Sequence, residues 1–146
     1  MLSKKAKYAM LALVHLAKRE DDNPVVIKDI ARAENIPQKF LEAILLDLRK
    51  AGILSSKKGK GGGYYLHKAP EDIALVEVMR LFDGSIALLP CVTYTYYERC
   101  EECKDEDTCG IRDAFLNLRN ITVDFLKATT LQSIIEKESM LHQLKG

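Results

Sequence analysis

The four cysteines of this chain lie together, with eight, two and five residues separating Cys91, Cys100, Cys103 and Cys109 in turn. The same stretch carries Glu98, Glu101, Glu102, Asp105, Glu106 and Asp107, opposed only by Arg99 and Lys104. Thiolates crowded among carboxylates repel one another unless a cation sits between them. The chemistry open to such a stretch is the capture of a metal ion or an iron–sulfur cluster. Four sulfurs suit tetrahedral zinc and also a 2Fe–2S or 4Fe–4S cluster. A structural zinc site usually shows two closely spaced cysteine pairs, and here only Cys100 and Cys103 form one. Oxidation to a disulfide is disfavoured, because the carboxylates oppose the reactive thiolate.

A second group of residues points to a polyanion. Lys57-Lys58-Gly59-Lys60-Gly61-Gly62-Gly63 is a cationic tip whose glycines let the backbone press close to phosphates. A phosphate-binding loop is a weaker rival reading of these glycines, since neither Ser nor Thr follows Gly59-Lys60 and no helix is expected after it. Upstream, Gln38, Lys39 and Glu42 stand near the start of a helical run, with Phe40, Leu41, Ile44, Leu45 and Leu48 on its apolar stripe. Gln can bond an adenine edge, Lys a guanine or phosphate, and Glu a cytosine amino group.

The elements that must position these groups can be read from periodicity and punctuation. A helix spans 3–19 with Ser3 as N-cap, a short one Val26–Glu34, and a third 37–50 with Pro37 in its first position. Segments 53–56 and 64–66 make a β-hairpin around the glycine tip. A helix over 71–83 follows Pro70. Beyond the cysteines, Ile111, Ala114, Leu118, Ile121, Phe125 and Ala128 recur at alternating intervals of three and four, an a/d seam on a long helix. Thr129-Thr130 interrupt it before a last amphipathic segment to about Leu144. The fold class is mainly α with a small β-wing: a winged helix-turn-helix over 1–83, a cysteine-rich sensor loop over 84–109, and a dimerisation helix with its C-terminal segment over 110–146.

Composition sets outer limits. Residues 1–68 hold 14 Lys/Arg against 7 Asp/Glu, a balance of +7, while residues 69–146 hold 8 against 14, a balance of −6. The basic half fits double-stranded DNA and the acidic half something else. No apolar run approaches the roughly 18 residues that span a bilayer, so a cytoplasmic protein is expected, whose cysteines stay reduced. His15 is expected to be packed, His67 to lie near phosphate and His142 to be exposed. No nucleophile–base set appears, and an enzyme is not expected.

Several segments resemble the Rrf-type family of winged-helix transcription regulators, which includes iron–sulfur, nitric-oxide and cysteine-metabolism regulators. They are Leu2-Ser3-Lys4-Lys5-Ala6-Lys7-Tyr8-Ala9, Ile36-Pro37-Gln38-Lys39-Phe40-Leu41-Glu42, the wing Lys58 to Leu66, and Cys109-Gly110-Ile111-Arg112-Asp113-Ala114-Phe115. The resemblance implies a homodimer on a partly palindromic operator, with Lys4, Lys5, Gln38, Lys39, Glu42, Lys57, Lys58, Lys60, Gly62 and Gly63 toward DNA. The family's arginine before the wing glycine is Lys58 here, which keeps the charge and loses the planar fork. Cluster-binding relatives use three cysteines and another ligand. Here Lys7 and Tyr8 offer no such ligand near the N-terminus, while Cys100 is additional. The resemblance favours a cluster on Cys91, Cys100, Cys103 and Cys109 from one chain, with zinc as the alternative. A further alternative is a cluster-free regulator controlled by a partner protein or small molecule.

Overall fold

A computed structural model describes residues 2–146 as six helices and one two-stranded sheet. The first helix, α1 (Lys4–Ala17), begins where Ser3 Oγ accepts from the Ala6 N–H at 3.1 Å. Ser3 also gives its N–H and hydroxyl to the carboxylate of Asp83. A helix cap therefore doubles as a tie to a distant element. Ala6, Ala9 and Ala12 are fully buried, so neighbouring helices approach the α1 backbone closely.

Two short helices pack beneath it. α2 (Ile27–Glu34) stops at Asn35, whose left-handed backbone (φ 54°) turns the chain toward α3 (Gln38–Lys50). Pro37 caps α3 rather than occupying its first turn. Leu41, Ile44, Leu45 and Leu48 are wholly buried, as the stripe predicts. Phe40 is not: it lies half outside, edge-on to Tyr8 with ring centroids 5.6 Å apart. The strands β1 (Leu54–Lys57) and β2 (Gly63–Leu66) pair antiparallel, Leu54 opposite Leu66 and Lys57 opposite Gly63. Tyr64 exchanges both backbone hydrogen bonds with Val25, at 2.8 and 2.9 Å. That bridge fixes the wing to the segment entering α2. Gly63 permits it, because any Cβ there would run into the Val25 carbonyl.

The helix expected over 71–83 is divided. Pro70–Asp72 form a single 3₁₀ turn, Ile73 and Ala74 are extended, and α4 runs Leu75–Asp83. The break has a tertiary cause. The Ile73 carbonyl accepts from the Leu131 N–H at 3.0 Å, and the Leu75 N–H donates to the Thr129 carbonyl at 2.9 Å. Ile73 and Leu131 are both fully buried in the main core. These non-local bonds replace the helical bonds that the local pattern favours.

The long helix α5 (Gly110–Ala128) and α6 (Leu131–Lys145) flank Thr129-Thr130. Thr130 and Ser133 satisfy one another's backbone N–H groups in a capping box, which starts α6 at a fixed angle. α6 then returns to α1, with Leu131 and Ile134 joining the main core built by α1, α2 and α3. α5 has two apolar faces. Val123 and Leu126 pack on Val76 of α4, whereas Ile111, Leu118, Ile121 and Phe125 of the a/d seam are exposed, Ile121 by 68% and Phe125 by 67%. Between α4 and α5 the chain is largely irregular, with one 3₁₀ turn at Pro90–Val92 that buries Cys91 and Val92. Among the described residues, no helix is long and apolar enough to cross a membrane.

Candidate nucleic-acid interface and cysteine cleft

The α2–turn–α3 pair and the wing both expose polar residues. Gln38, Lys39 and Glu42 are exposed near the N-terminus of α3, the end of such helices that meets base edges. Lys57, Lys58 and Lys60 are exposed around the hairpin tip, and none of the three forms an ion pair within the described chain. Gly62 is buried, and a Cβ there would collide with the Lys57 and Gly59 carbonyls. Gly62 and Gly63 thus shape the wing. Lys4 is exposed, while Lys5 is drawn inward, 3.6 Å from Asp47 and over the Phe82 ring at 5.9 Å.

Arg49 has a role that the sequence pattern did not reveal. Its guanidinium donates to Ser56 Oγ at 3.1 Å and so ties the end of α3 to β1. His67 meets Ser55 Oγ at 2.8 Å on the same strand pair. His15 is packed as expected, with Nδ1 3.0 Å from Glu34 between α1 and α2.

All four cysteines line one cleft of about 740 Å³, together with Glu98, Glu102, Glu106 and Arg112. Cys91 is buried, Cys103 and Cys109 are half-buried, and Cys100 is exposed. The sulfurs are separately engaged. Cys109 caps α5 by accepting from the Arg112 N–H at 3.4 Å. The Cys100 thiol donates to Glu102 Oε2 at 2.9 Å. Cys103 lies against the Arg99 guanidinium, which it holds in the charged form. Among the described residues, no three His, Cys, Asp or Glu side chains converge as ion ligands. The donor set nonetheless fits a sulfur-loving ion in kind, since four thiols border the cleft. Closing it requires loop movement, and the loop has little regular structure to resist this.

Charge sets the local protonation. The Glu102 carboxylate pushes the Cys100 thiol pKa up, and in the same contact its own is lowered. Glu106 accepts from the Tyr97 hydroxyl and raises that phenol. Arg112 reaches Glu106 at 4.0 Å and donates from Nε to the Cys91 carbonyl at 3.3 Å. Tyr94 and Tyr96 face a different cleft, so they do not cover the sulfurs.

The family model described as "Rrf2: Iron-dependent Transcriptional regulator" matches residues 2–137. An rrf2-like HTH-type transcriptional regulator of Rhodobacter capsulatus is 41% identical over 138 residues, covering 92% of each chain. The HTH-type transcriptional regulator IscR of Pectobacterium carotovorum is 30% identical over 140 residues, 96% of this chain and 82% of that one. The solved structure of CymR, the global cysteine regulator of B. subtilis, superposes with a TM-score of 0.78 at 26% identity, covering 94% of this chain and 97% of that one.

The Cys100–Glu102 contact yields a measurable consequence. A carboxylate accepting from the thiol favours its protonated form, so Glu102→Gln lowers the Cys100 pKa and enlarges its thiolate fraction at pH 8. Alkylation of Cys100 by iodoacetamide, followed by peptide mass spectrometry, is expected to run severalfold faster in that variant. An unchanged rate would show that the contact does not govern the thiol.

Proposed function

This chain belongs to the Rrf2 family of winged-helix transcription regulators, and from that premise we propose a cytoplasmic, homodimeric, operator-binding repressor whose cysteine loop takes up an iron–sulfur cluster. One observation carries the sensing half of this reading: Cys91, Cys100, Cys103 and Cys109 share a single cleft. The iron dependence named for the family supports the choice of ion. A bound cluster would supply an electron-transfer centre that oxidants, nitric oxide or iron–sulfur shortage can alter. Zinc on the same four sulfurs is the second reading, because tetrahedral thiolate ligation suits it too, although only Cys100 and Cys103 form a close pair.

The division of labour follows the architecture. In the reading head (1–83), Gln38, Lys39 and Glu42 meet base edges, while Lys57, Lys58 and Lys60 meet backbone phosphate and Lys4 adds charge nearby. In the sensor segment (84–109), Cys91 is the anchored ligand and the other three sulfurs move to it. In the segment 110–146, the exposed seam Ile111, Ala114, Leu118, Ile121, Phe125 and Ala128 pairs with the same seam of a second copy. Fully burying one Ile or Phe side chain contributes about 1.5–3 kcal/mol, so several along one helix outweigh the loss of free motion on pairing. Ion capture orders the loop joining α4 to α5, and the separation of the two reading heads changes with it.

Protein purified without air is expected to be coloured and to contain iron and sulfide, and Cys103→Ala or Cys109→Ala to lose both. A colourless protein with zinc would select the second reading, and one holding neither ion would overturn the sensor. For DNA, the slope of log affinity against log salt should fall by about 0.9 for each phosphate contact removed in the Lys57, Lys58, Lys60→Ala variant. An unaltered slope would remove the wing from the interface. For assembly, sedimentation of Ile121→Asp is expected to show a monomer where the parent is a dimer. A dimer that survives this change would place the interface elsewhere.

A further inference from the structure

A second cleft of about 430 Å³, bordered by no cysteine, lies between α4, α5 and the stretches 84–86 and 93–96 of the chain that joins them. Its lining contains two arginines, Arg80 and Arg119, and no Asp or Glu. That is unexpected in a half of the chain whose formal balance is −6. Arg119 is half-buried, and every partner of its guanidinium is neutral: the Val92 carbonyl, Asn120 Oδ1 at 2.8 Å and the Tyr94 hydroxyl at 3.0 Å. The same group lies over the Tyr94 ring, 4.0 Å from its centroid. Arg80, in the last turn of α4, forms no ion pair among the described residues.

A guanidinium does not lose its proton in a protein. Two permanent cations therefore face one cavity without a counter-charge. Ser85 and Thr95 add hydroxyl donors to the wall, while Ile86 and Val123 give it an apolar part suited to a carbon skeleton. The volume falls within the range usual for small-molecule sites, about 300–1,000 Å³. Planar guanidinium forks match carboxylate and phosphate oxygens.

We infer that this cleft binds a small organic oxyanion, a carboxylate- or phosphate-bearing metabolite held between Arg80 and Arg119. The ligand would bridge α4 to α5 without touching a cysteine or DNA. It is thus a second input to the hinge between the reading head and the seam helix, independent of the cysteine reading.

The test uses the full chain, titrated with sodium malonate, with inorganic phosphate, and with potassium chloride at matched ionic strength. Intrinsic fluorescence reports directly, since the chain has no Trp and 6 Tyr, of which Tyr94 and Tyr96 line the cleft. A saturable change with malonate alone assigns a carboxylate, with phosphate alone a phosphate ester, and with both a shared oxyanion site. Arg80 is exposed, so Arg80→Gln should fold normally, and it is expected to weaken binding about tenfold or more, the loss of roughly 1.4 kcal/mol. Arg80→Lys should recover part of that. A response equal to that of chloride, or one unchanged in Arg80→Gln, overturns the proposal. So does a variant that binds malonate normally but no longer self-associates in sedimentation, which would make the arginines a subunit contact.

Discussion

The architecture depends on a short backbone bridge between Ile73–Leu75 and Thr129–Leu131. Its two hydrogen bonds, 3.0 and 2.9 Å long, join the end of the winged helix to the junction of α5 and α6. Each such bond contributes only about 0.5–1.5 kcal/mol net. Their weight comes from position, because they sit between fully buried Ile73 and Leu131, where an unpaired amide would cost about 1–3 kcal/mol. Besides this bridge, α5 is held by the Val76–Val123–Leu126 cluster and, through α6, by Leu131 and Ile134 in the main core. The Ser3–Asp83 contact braces the other end of α4 against α1. Both ends of α4 are thus tied, one to α1 and the other to the α5–α6 junction.

The local chemistry of the two halves explains why such a displacement is available. The reading head buries its apolar stripes in one core, and interiors of that density do not deform gradually. The chain from Gly84 to Cys109 has no comparable core. It holds its shape through exposed polar contacts such as Tyr97 with Glu106, Arg112 with Glu106 and Cys100 with Glu102. Surface contacts of this kind are worth about 1 kcal/mol or less each. On the reading proposed above, a strongly bound ion would exchange them for sulfur ligation. Metal ligation and local order are then one equilibrium.

Much of this was legible in the sequence, and what was legible was local. The stripe Leu41, Ile44, Leu45 and Leu48 predicts α3 because burial of a helix face follows its own period. The glycine run predicts the hairpin, since its tip needs conformations closed to other residues. The alternation from Ile111 to Ala128 predicts both α5 and its exposed seam. Misread features were those decided by distant partners. Ile73 and Ala74 belong to a helical pattern, yet Thr129 and Leu131 capture their backbone. Phe40 has the spacing of a core residue but lies at the rim, edge-on to Tyr8. Nothing near Lys5 signals Asp47, and nothing near Arg49 signals Ser56. For the cysteines, composition disclosed the shared cleft but not their separate hydrogen-bond partners, which depend on how an irregular loop settles.

Those partners also connect the two clefts. Arg112 donates to the Cys91 carbonyl and Arg119 to the Val92 carbonyl, so two arginines of α5 hold consecutive peptides of the Pro90–Val92 turn. Arg112 belongs to the cysteine cleft and Arg119 to the oxyanion cleft. The turn is buried at Cys91 and Val92 and cannot shift at one carbonyl while remaining fixed at the other. If the sulfurs gathering on Cys91 around an ion were to strain this turn, the Val92 carbonyl would feel it too, and with it Arg119 in the second cleft. The reverse holds as well. An anion that fixes Arg119 fixes the turn, and with it the position from which Cys91 offers its sulfur. Were both proposed ligands to bind, linkage would make the two effects equal in free energy whichever arrived first.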